Sequence, residues 1–154
     1  MNFDFLAFIL SMACCLFSWI IAGKTAVKKE YKEWFENLKH PKSLFMLKYM
    51  NIVGITFYPI FGFTLYVLLV DKAIVLTIIT IAIILQMGIS PFLMYKTKDL
   101  KLFFFSMLNI PIFLLVLIFF LIQINLISVI LLIAYLLYLI YDLSYFYRLM
   151  KLNK

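Results

Sequence analysis

Four side chains near the C-terminus recur at a spacing that could build a binding surface. They are Tyr135, Tyr138, Asp142 and Tyr145. On a helix, steps of three and four residues place side chains on one face. The tyrosine rings offer flat apolar surfaces with a hydroxyl at the tip, and a carboxylate accepts hydrogen bonds from a bound molecule.

Asp142 also lies inside a long apolar run. A charged carboxylate in such a run is costly, so it must be paired or protonated. Ionisable residues within apolar spans are functional candidates by default, and we therefore predict that Asp142 takes part in binding. The alternative is structural: Asp142 reaches toward the basic residues beyond the run, or bonds a tyrosine hydroxyl.

A second stripe runs along an earlier apolar segment at intervals of four residues. It consists of Gly54, Tyr58, Gly62 and Tyr66. Glycines in such a stripe allow two helices to approach closely, which favours a packing seam. The tyrosines would equally suit the wall of an aromatic pocket, and the spacing does not decide between the two.

Gln86 and Ser90 share a face four residues apart, just before Pro91. Polar groups in apolar helices need partners and mostly face the interior of a bundle. Gln86 therefore either bonds a neighbouring helix or fixes the polar edge of a ligand.

Other reactive arrangements are missing from the sequence. His40 is the one histidine, and Cys14 and Cys15 are adjacent within an apolar run. A metal site needs several ligands at set spacing, so neither a metal nor a cofactor is predicted. We find no nucleophile–base arrangement and no phosphate-binding glycine loop, and we expect no enzymatic activity.

The elements that must position these residues are apolar helices. The chain is 67% hydrophobic and 14% charged, far from the balance of a soluble domain. Five apolar runs of about membrane length are separated by polar breaks. We predict spans at about 3–22, 51–70, 73–95, 102–124 and 126–147. The fold class is all-α, an integral membrane bundle in which residues 1–154 form a single domain.

The distribution of charge supports this count of spans. The net charge is +7, but the lysines flank apolar runs, which favours a membrane surface over a nucleic acid. With five spans, every Lys and Arg except Lys72 falls on one side. We predict that the chain lies in a bacterial cell membrane. The positive-inside rule then places its N-terminus outside and its C-terminus in the cytoplasm.

The first connection contains an amphipathic segment at 26–40, followed by Pro41. Apolar side chains recur there at helical spacing, and charges fill the other face. We predict an interfacial helix with Trp34 at headgroup depth. It either anchors the chain to the membrane surface or covers a cavity between the helices.

Several segments resemble the TspO/MBR family, the translocator protein or peripheral benzodiazepine receptor group. The stretch Trp-Phe-Glu-Asn-Leu-Lys-His-Pro at 34–41 is similar to the family signature, and the register continues without a gap into the second span. Further similar segments are Leu-Gln and Ser-Pro-Phe within 85–92, Leu-Ile-Ala-Tyr-Leu-Leu-Tyr at 132–138, and the closing Tyr and Lys-Leu-Asn within 147–153. The family is rich in tryptophan, whereas this chain has only Trp19 and Trp34.

The resemblance implies a membrane receptor or carrier for a flat hydrophobic ligand, either a porphyrin-like haem precursor or a sterol-like lipid. The alternative is a structural or regulatory helix bundle that binds a protein partner and no small molecule. The expected partners are the bilayer, the ligand and a second copy of the chain, with no nucleic acid. The predicted ligand-binding residues are Trp34, Tyr58, Gly62, Tyr66, Gln86, Tyr135, Tyr138 and Asp142.

Overall fold

The computed structural model describes the backbone of residues 4–26, 28–41 and 45–153, and the side chains of 4–24, 28–41 and 56–153. Within these ranges the secondary structure is helical, with no strand. The helices are α1 (Phe5–Ala26), α2 (Lys29–Glu36), α3 (Phe45–Val70), α4 (Ile74–Thr97), α5 (Leu100–Met107), α6 (Ile110–Leu121) and α7 (Leu126–Leu152). The prediction of an all-α membrane bundle is confirmed.

Four segments are long and apolar enough to cross a bilayer. They are Phe5–Lys24, Ile74–Thr97, Leu100–Leu121 and Leu126–Leu152. Helix α3 supplies a shorter apolar stretch, Thr56–Val70, within the described side chains. The count of five spans therefore stays a prediction, with α3 as the fifth candidate.

Polar residues at the predicted breaks act as helix caps. The Asn125 side chain accepts a hydrogen bond from the Ser128 N–H at 2.9 Å and starts α7. Asp99 accepts from the N–H groups of Lys101 and Leu102 and starts α5. These bonds satisfy amides that have no partner inside the helix, which explains how short polar breaks separate long apolar helices. The fourth apolar run also breaks within itself, between α5 and α6, just before Pro111.

The long helices form one packed bundle, in which α3 and α4 also contact each other. Helix α1 packs on α3 and α4, the α5–α6 pair packs on α4 and α7, and α7 packs on α3. Large apolar side chains cover the outer surface, with Ile74 71% and Phe119 69% exposed. An outer surface of this kind requires lipid as its solvent.

The amphipathic helix is shorter than the predicted 26–40. Helix α2 ends at Glu36, and Asn37 closes it by donating its N–H to backbone carbonyls of the last turn. Its apolar side chains, Tyr31, Trp34 and the buried Phe35, pack against the core of the bundle. Residue 27 lies outside the described residues.

The basic segments meet at one end of the bundle, as the charge pattern predicted. The Asn153 side chain accepts from the Lys39 N–H at 2.8 Å and donates to the Lys39 carbonyl at 3.0 Å, joining the first connection to the end of α7. Trp34 and Lys98 line the same groove, so the connection between α4 and α5 lies at this end too. We call this the basic end.

Candidate functional site

The predicted face of α7 turns into the bundle. Tyr135 and Tyr145 are each 3% exposed, Asp142 is 7% exposed, and Tyr138 is half-buried. Asp142 lies close enough to interact electrostatically with all three tyrosines. The structure therefore brings these four side chains together.

Asp142 is also incompletely satisfied. Its Oδ1 atom is buried and has no hydrogen-bond partner among the described residues. Buried polar atoms in native proteins almost always have a partner, and an exception calls for an explanation such as a functional role. The structural alternative for this oxygen, a bond to a tyrosine hydroxyl, is not formed.

Two phenylalanines of α3 complete an aromatic cluster on this face. The Phe57 ring centroid lies 4.6 Å from that of Tyr135 and 4.8 Å from that of Tyr138. The Phe61 ring meets Tyr135 edge-on at 4.9 Å. We call Phe57, Phe61, Tyr135 and Tyr138 the aromatic cluster. The sequence analysis missed both phenylalanines, whose only signal was their spacing of four residues.

The glycine–tyrosine stripe of α3 faces α1. A Cβ added at Gly62 would lie 2.6 Å from Met12 Cε and 3.4 Å from Cys15 Sγ. Tyr66 accepts a hydrogen bond from the Asp4 N–H at 3.3 Å. These contacts form a packing seam, and Gly54 lies outside the described side chains. A ligand role for Gly62 and Tyr66 stays a prediction that these contacts do not favour.

Tyr58 lies where α1 and α3 meet and is buried. It hydrogen-bonds Ser18 and is also close enough to Tyr135 to interact electrostatically. On its outer side it lines an apolar cavity of about 200 Å³ together with Trp19 and Pro59. Among the described members of the stripe, Tyr58 therefore connects α1 with the aromatic cluster.

Gln86 is engaged by a neighbouring helix pair. Its Nε2 donates to Asn109 Oδ1 at 2.7 Å and to the Ser106 carbonyl, and Asn109 Nδ2 donates back to Gln86 Oε1 at 3.3 Å. Ser106 also donates to Ser90 at 3.1 Å. These bonds join α4 to the break between α5 and α6. They agree with the alternative in which Gln86 bonds a neighbouring helix.

His40, in the segment after α2, contacts the basic end of α7, which residue spacing did not predict. His40 Nε2 lies 2.8 Å from the Phe35 carbonyl, and Nδ1 lies 2.8 Å from the Tyr145 hydroxyl. Because a carbonyl only accepts, Nε2 carries the proton, and in the neutral ring Nδ1 accepts from Tyr145. His40 thus links the first connection to α7 one turn from Asp142.

Aromatic contacts hold α2 in place. The Tyr31 ring stacks on Phe35 at 5.8 Å and meets Tyr95 of α4 edge-on at 5.9 Å. Burial raises the pKa of Tyr31 well above its usual range, so the phenol stays neutral. Trp34 is half-buried beside Tyr31, at a ring distance of 5.8 Å. Helix α2 is therefore packed on the bundle, and its role as an anchor or as a cover over a cavity stays a prediction.

The arrangement suits binding better than bond chemistry. It combines flat aromatic faces, one buried carboxylate oxygen and a packed helix α2. Among the described residues, no group of three His, Cys, Asp or Glu side chains could hold a metal ion.

Comparison with known proteins identifies a family. A family model described as TspO/MBR family matches residues 9–150, which is nearly the whole chain. No curated protein and no solved structure matches the chain.

Proposed function

Because the chain belongs to the TspO/MBR family, we propose that it is a membrane receptor or carrier for a flat hydrophobic ligand. The ligand class is a porphyrin-like haem precursor or a sterol-like lipid. It binds against the α7 face, between the aromatic cluster and Asp142, under the cover formed by α2. The protein binds this ligand without converting it.

The unpartnered Asp142 Oδ1 carries this proposal. An acceptor left without a partner in a buried position costs about 1–3 kcal/mol, which a ligand donor would recover. A free-base tetrapyrrole offers pyrrole N–H groups, and a sterol offers a hydroxyl. Both ligand classes thus join a hydrogen-bond donor to a large apolar body, and a porphyrin also carries propionate groups.

The aromatic cluster supports the proposal that the ligand is flat. Tyr138 is half-buried, and its ring lies against Phe57 at 4.8 Å. A ligand that stacks on Tyr138 takes the place of the Phe57 ring, which turns aside about its side-chain bonds. Offset stacking then replaces one aromatic contact with another of larger area.

The position of the proposed site is also linked to the orientation of the protein across the membrane. Helix α2, which forms the proposed cover, lies at the basic end, next to Lys39 and Asn153. We propose that the protein lies in a bacterial cell membrane and that this end faces the cytoplasm, which places the N-terminus outside. Ligand then enters or leaves the site at the cytoplasmic leaflet.

A tetrapyrrole titration tests the proposal. We expect protoporphyrin at micromolar concentration to quench the tryptophan fluorescence of the purified protein and to change its own absorbance spectrum. Tyr138→Leu should weaken binding by about two- to tenfold, because one stacking contact of about 0.5–1.5 kcal/mol is lost. The matched control is Tyr141→Leu, on the exposed side of α7.

The titration has two outcomes that contradict the proposal. The first is the absence of quenching and of a spectral shift. The second is equal weakening by Tyr138→Leu and Tyr141→Leu, which would place the porphyrin on the lipid-facing surface. A sterol arm, with a fluorescent sterol as the probe, uses the same variants.

A second candidate function is a structural or regulatory bundle that binds a protein partner. The tight seams favour it: Gly62 meets α1, and Gln86 is bonded to Asn109. The two candidates differ in the fate of Asp142. A purely structural bundle gains nothing from an unpartnered buried oxygen, so substitutions there separate the two.

A further inference from the structure

A groove at the basic end has no part in the site on α7. It encloses about 350 Å³ between α2, the turn from α4 to α5, and the last turn of α7. Its apolar side is formed by Leu38, Leu100 and Met150, with Trp34 beside them. The groove therefore offers an apolar wall at the level where the helices leave the membrane.

The opposite wall carries a net positive charge, from Lys98 and Lys101 against the single carboxylate of Asp99. Lys98 and Lys101 line the groove and are both exposed. Within the described residues the one ion pair joins Lys29 to Glu33, at 3.7 Å. The two groove lysines thus have no carboxylate partner there.

Neighbouring charges are already engaged. Asp99 is the one acidic residue of the groove, and its Oδ1 accepts from the N–H groups of Lys101 at 2.7 Å and Leu102 at 3.2 Å. Lys28 and Lys151 lie over the rings of Tyr95 and Tyr147. Lys98 and Lys101 are the two cations that line the groove and can meet an external anion there.

The backbone conformation of Lys98 also supports a functional role for its side chain. Lys98 ends α4 in the left-handed conformation, with φ at 52°, and its N–H bonds the Met94 carbonyl at 2.8 Å. Glycine is the usual residue at such a cap, because a side chain there is strained. The lysine side chain holds a position that glycine would fill at lower conformational cost.

We propose that this groove binds an anionic phospholipid. The phosphate lies between Lys98 and Lys101, and the glycerol and upper acyl chain lie along the apolar wall. Trp34 sits at the boundary between the two, as interfacial tryptophans do. The groove joins an apolar wall to a cationic one at membrane depth, which fits an amphiphile better than a soluble phosphate or a protein surface.

Quenching by brominated lipid reads this contact directly. Because the chain has only two tryptophans, Trp19→Phe leaves Trp34 as the sole reporter. The full chain in nanodiscs is compared in brominated phosphatidylglycerol and in brominated phosphatidylcholine at equal mole fraction. We expect phosphatidylglycerol to quench Trp34 more strongly. Equal quenching by the two lipids would overturn the proposal and leave the groove to a protein partner.

Variants at two lysines with the same backbone conformation separate charge from folding. Lys98→Asn keeps a residue that tolerates the left-handed conformation, and we expect it to lower the lipid preference about fivefold. Lys98→Arg should retain the preference. Lys72, with φ at 57°, lies in the turn at the opposite end of the bundle, so Lys72→Asn is the matched control. An unchanged preference in Lys98→Asn, or an equal loss in Lys72→Asn, contradicts the proposal.

A soluble competitor distinguishes the source of the phosphate. Glycerol phosphate at millimolar concentration is expected to leave the quenching difference intact, and loss of the difference would assign the groove to a soluble phosphate instead. Lys98→Asn should bind protoporphyrin like the unmodified protein, so the proposals for the lipid site and for the site on α7 can fail independently.

Discussion

Gly88→Ala is expected to lower the stability of the bundle by about 1–3 kcal/mol through overpacking. A Cβ at this position would lie 2.5 Å from Ser18 Oγ, 2.8 Å from the Ser18 carbonyl oxygen and 3.1 Å from Ser18 Cα. Two of these three atoms belong to the backbone of α1, so no side-chain rotation removes the clash. Helix α1 must move away from α4, and the hydrogen bond from Ser18 to the Ile84 carbonyl is strained with it.

Two other glycines provide matched controls. A Cβ at Gly62 meets the flexible end of Met12, which can turn aside, and a Cβ at Gly23 meets nothing within 4 Å. Thermal unfolding in detergent should therefore rank Gly88→Ala as the most destabilised, Gly62→Ala as intermediate and Gly23→Ala as unchanged or slightly stabilised. Equal melting temperatures for Gly88→Ala and Gly23→Ala would show that α1 and α4 are not in contact as described.

Asp142→Leu is expected to stabilise the unliganded protein and to weaken ligand binding in the same variant. Leucine matches the branching of aspartate and removes the unpartnered Oδ1, whose burial costs about 1–3 kcal/mol. The removed oxygen is also the proposed acceptor for the ligand, so we expect at least a tenfold loss of protoporphyrin affinity. Opposite effects on stability and binding are the mark of a functional site.

Asp142→Asn serves as the conservative variant. It keeps the shape and one carbonyl acceptor, so its melting temperature and its affinity should fall between those of the unmodified protein and Asp142→Leu. If Asp142→Leu instead unfolds the protein and Asp142→Asn binds porphyrin normally, then Asp142 is a structural residue and the proposed site is wrong.

Features that depend on a single helix or on overall charge were predictable from the sequence. The inward face of α7 follows from residue spacing, and Asp142 stands out because charge is rare in apolar spans. The meeting of the first connection with Lys98 at the basic end follows from the requirement that lysines gather on one side of a membrane. Neither inference needs knowledge of how the helices pack.

Features that depend on which helices are neighbours were not predictable in this way. Periodicity shows that Tyr58, Gly62 and Tyr66 share a face, but it does not say that the face meets α1. Phe57 and Phe61 precede Tyr58 and Gly62 by one residue, which turns them about 100° around the helix, toward α7. One step in the sequence thus separates the packing seam from the aromatic cluster.

His40 shows a further limit of sequence reasoning. The sequence analysis considered it only as a metal ligand, for which a lone histidine has no support. Its partners are the Phe35 carbonyl and the Tyr145 hydroxyl, which lies 105 positions further along the chain. No local pattern encodes a contact of that separation, and only the folded bundle reveals the link between the cover and α7.

The most direct test of the binding proposal is an infrared difference spectrum of the protein with and without protoporphyrin. Such a spectrum reports the hydrogen bonding of individual carboxyl groups, and comparison with Asp142→Asn identifies the Asp142 band. We predict that the ligand shifts this band and that the shift is missing in Asp142→Asn. Carboxyl difference spectra that are identical in the two proteins at saturating porphyrin would contradict this, since the ligand would then bind without touching Asp142.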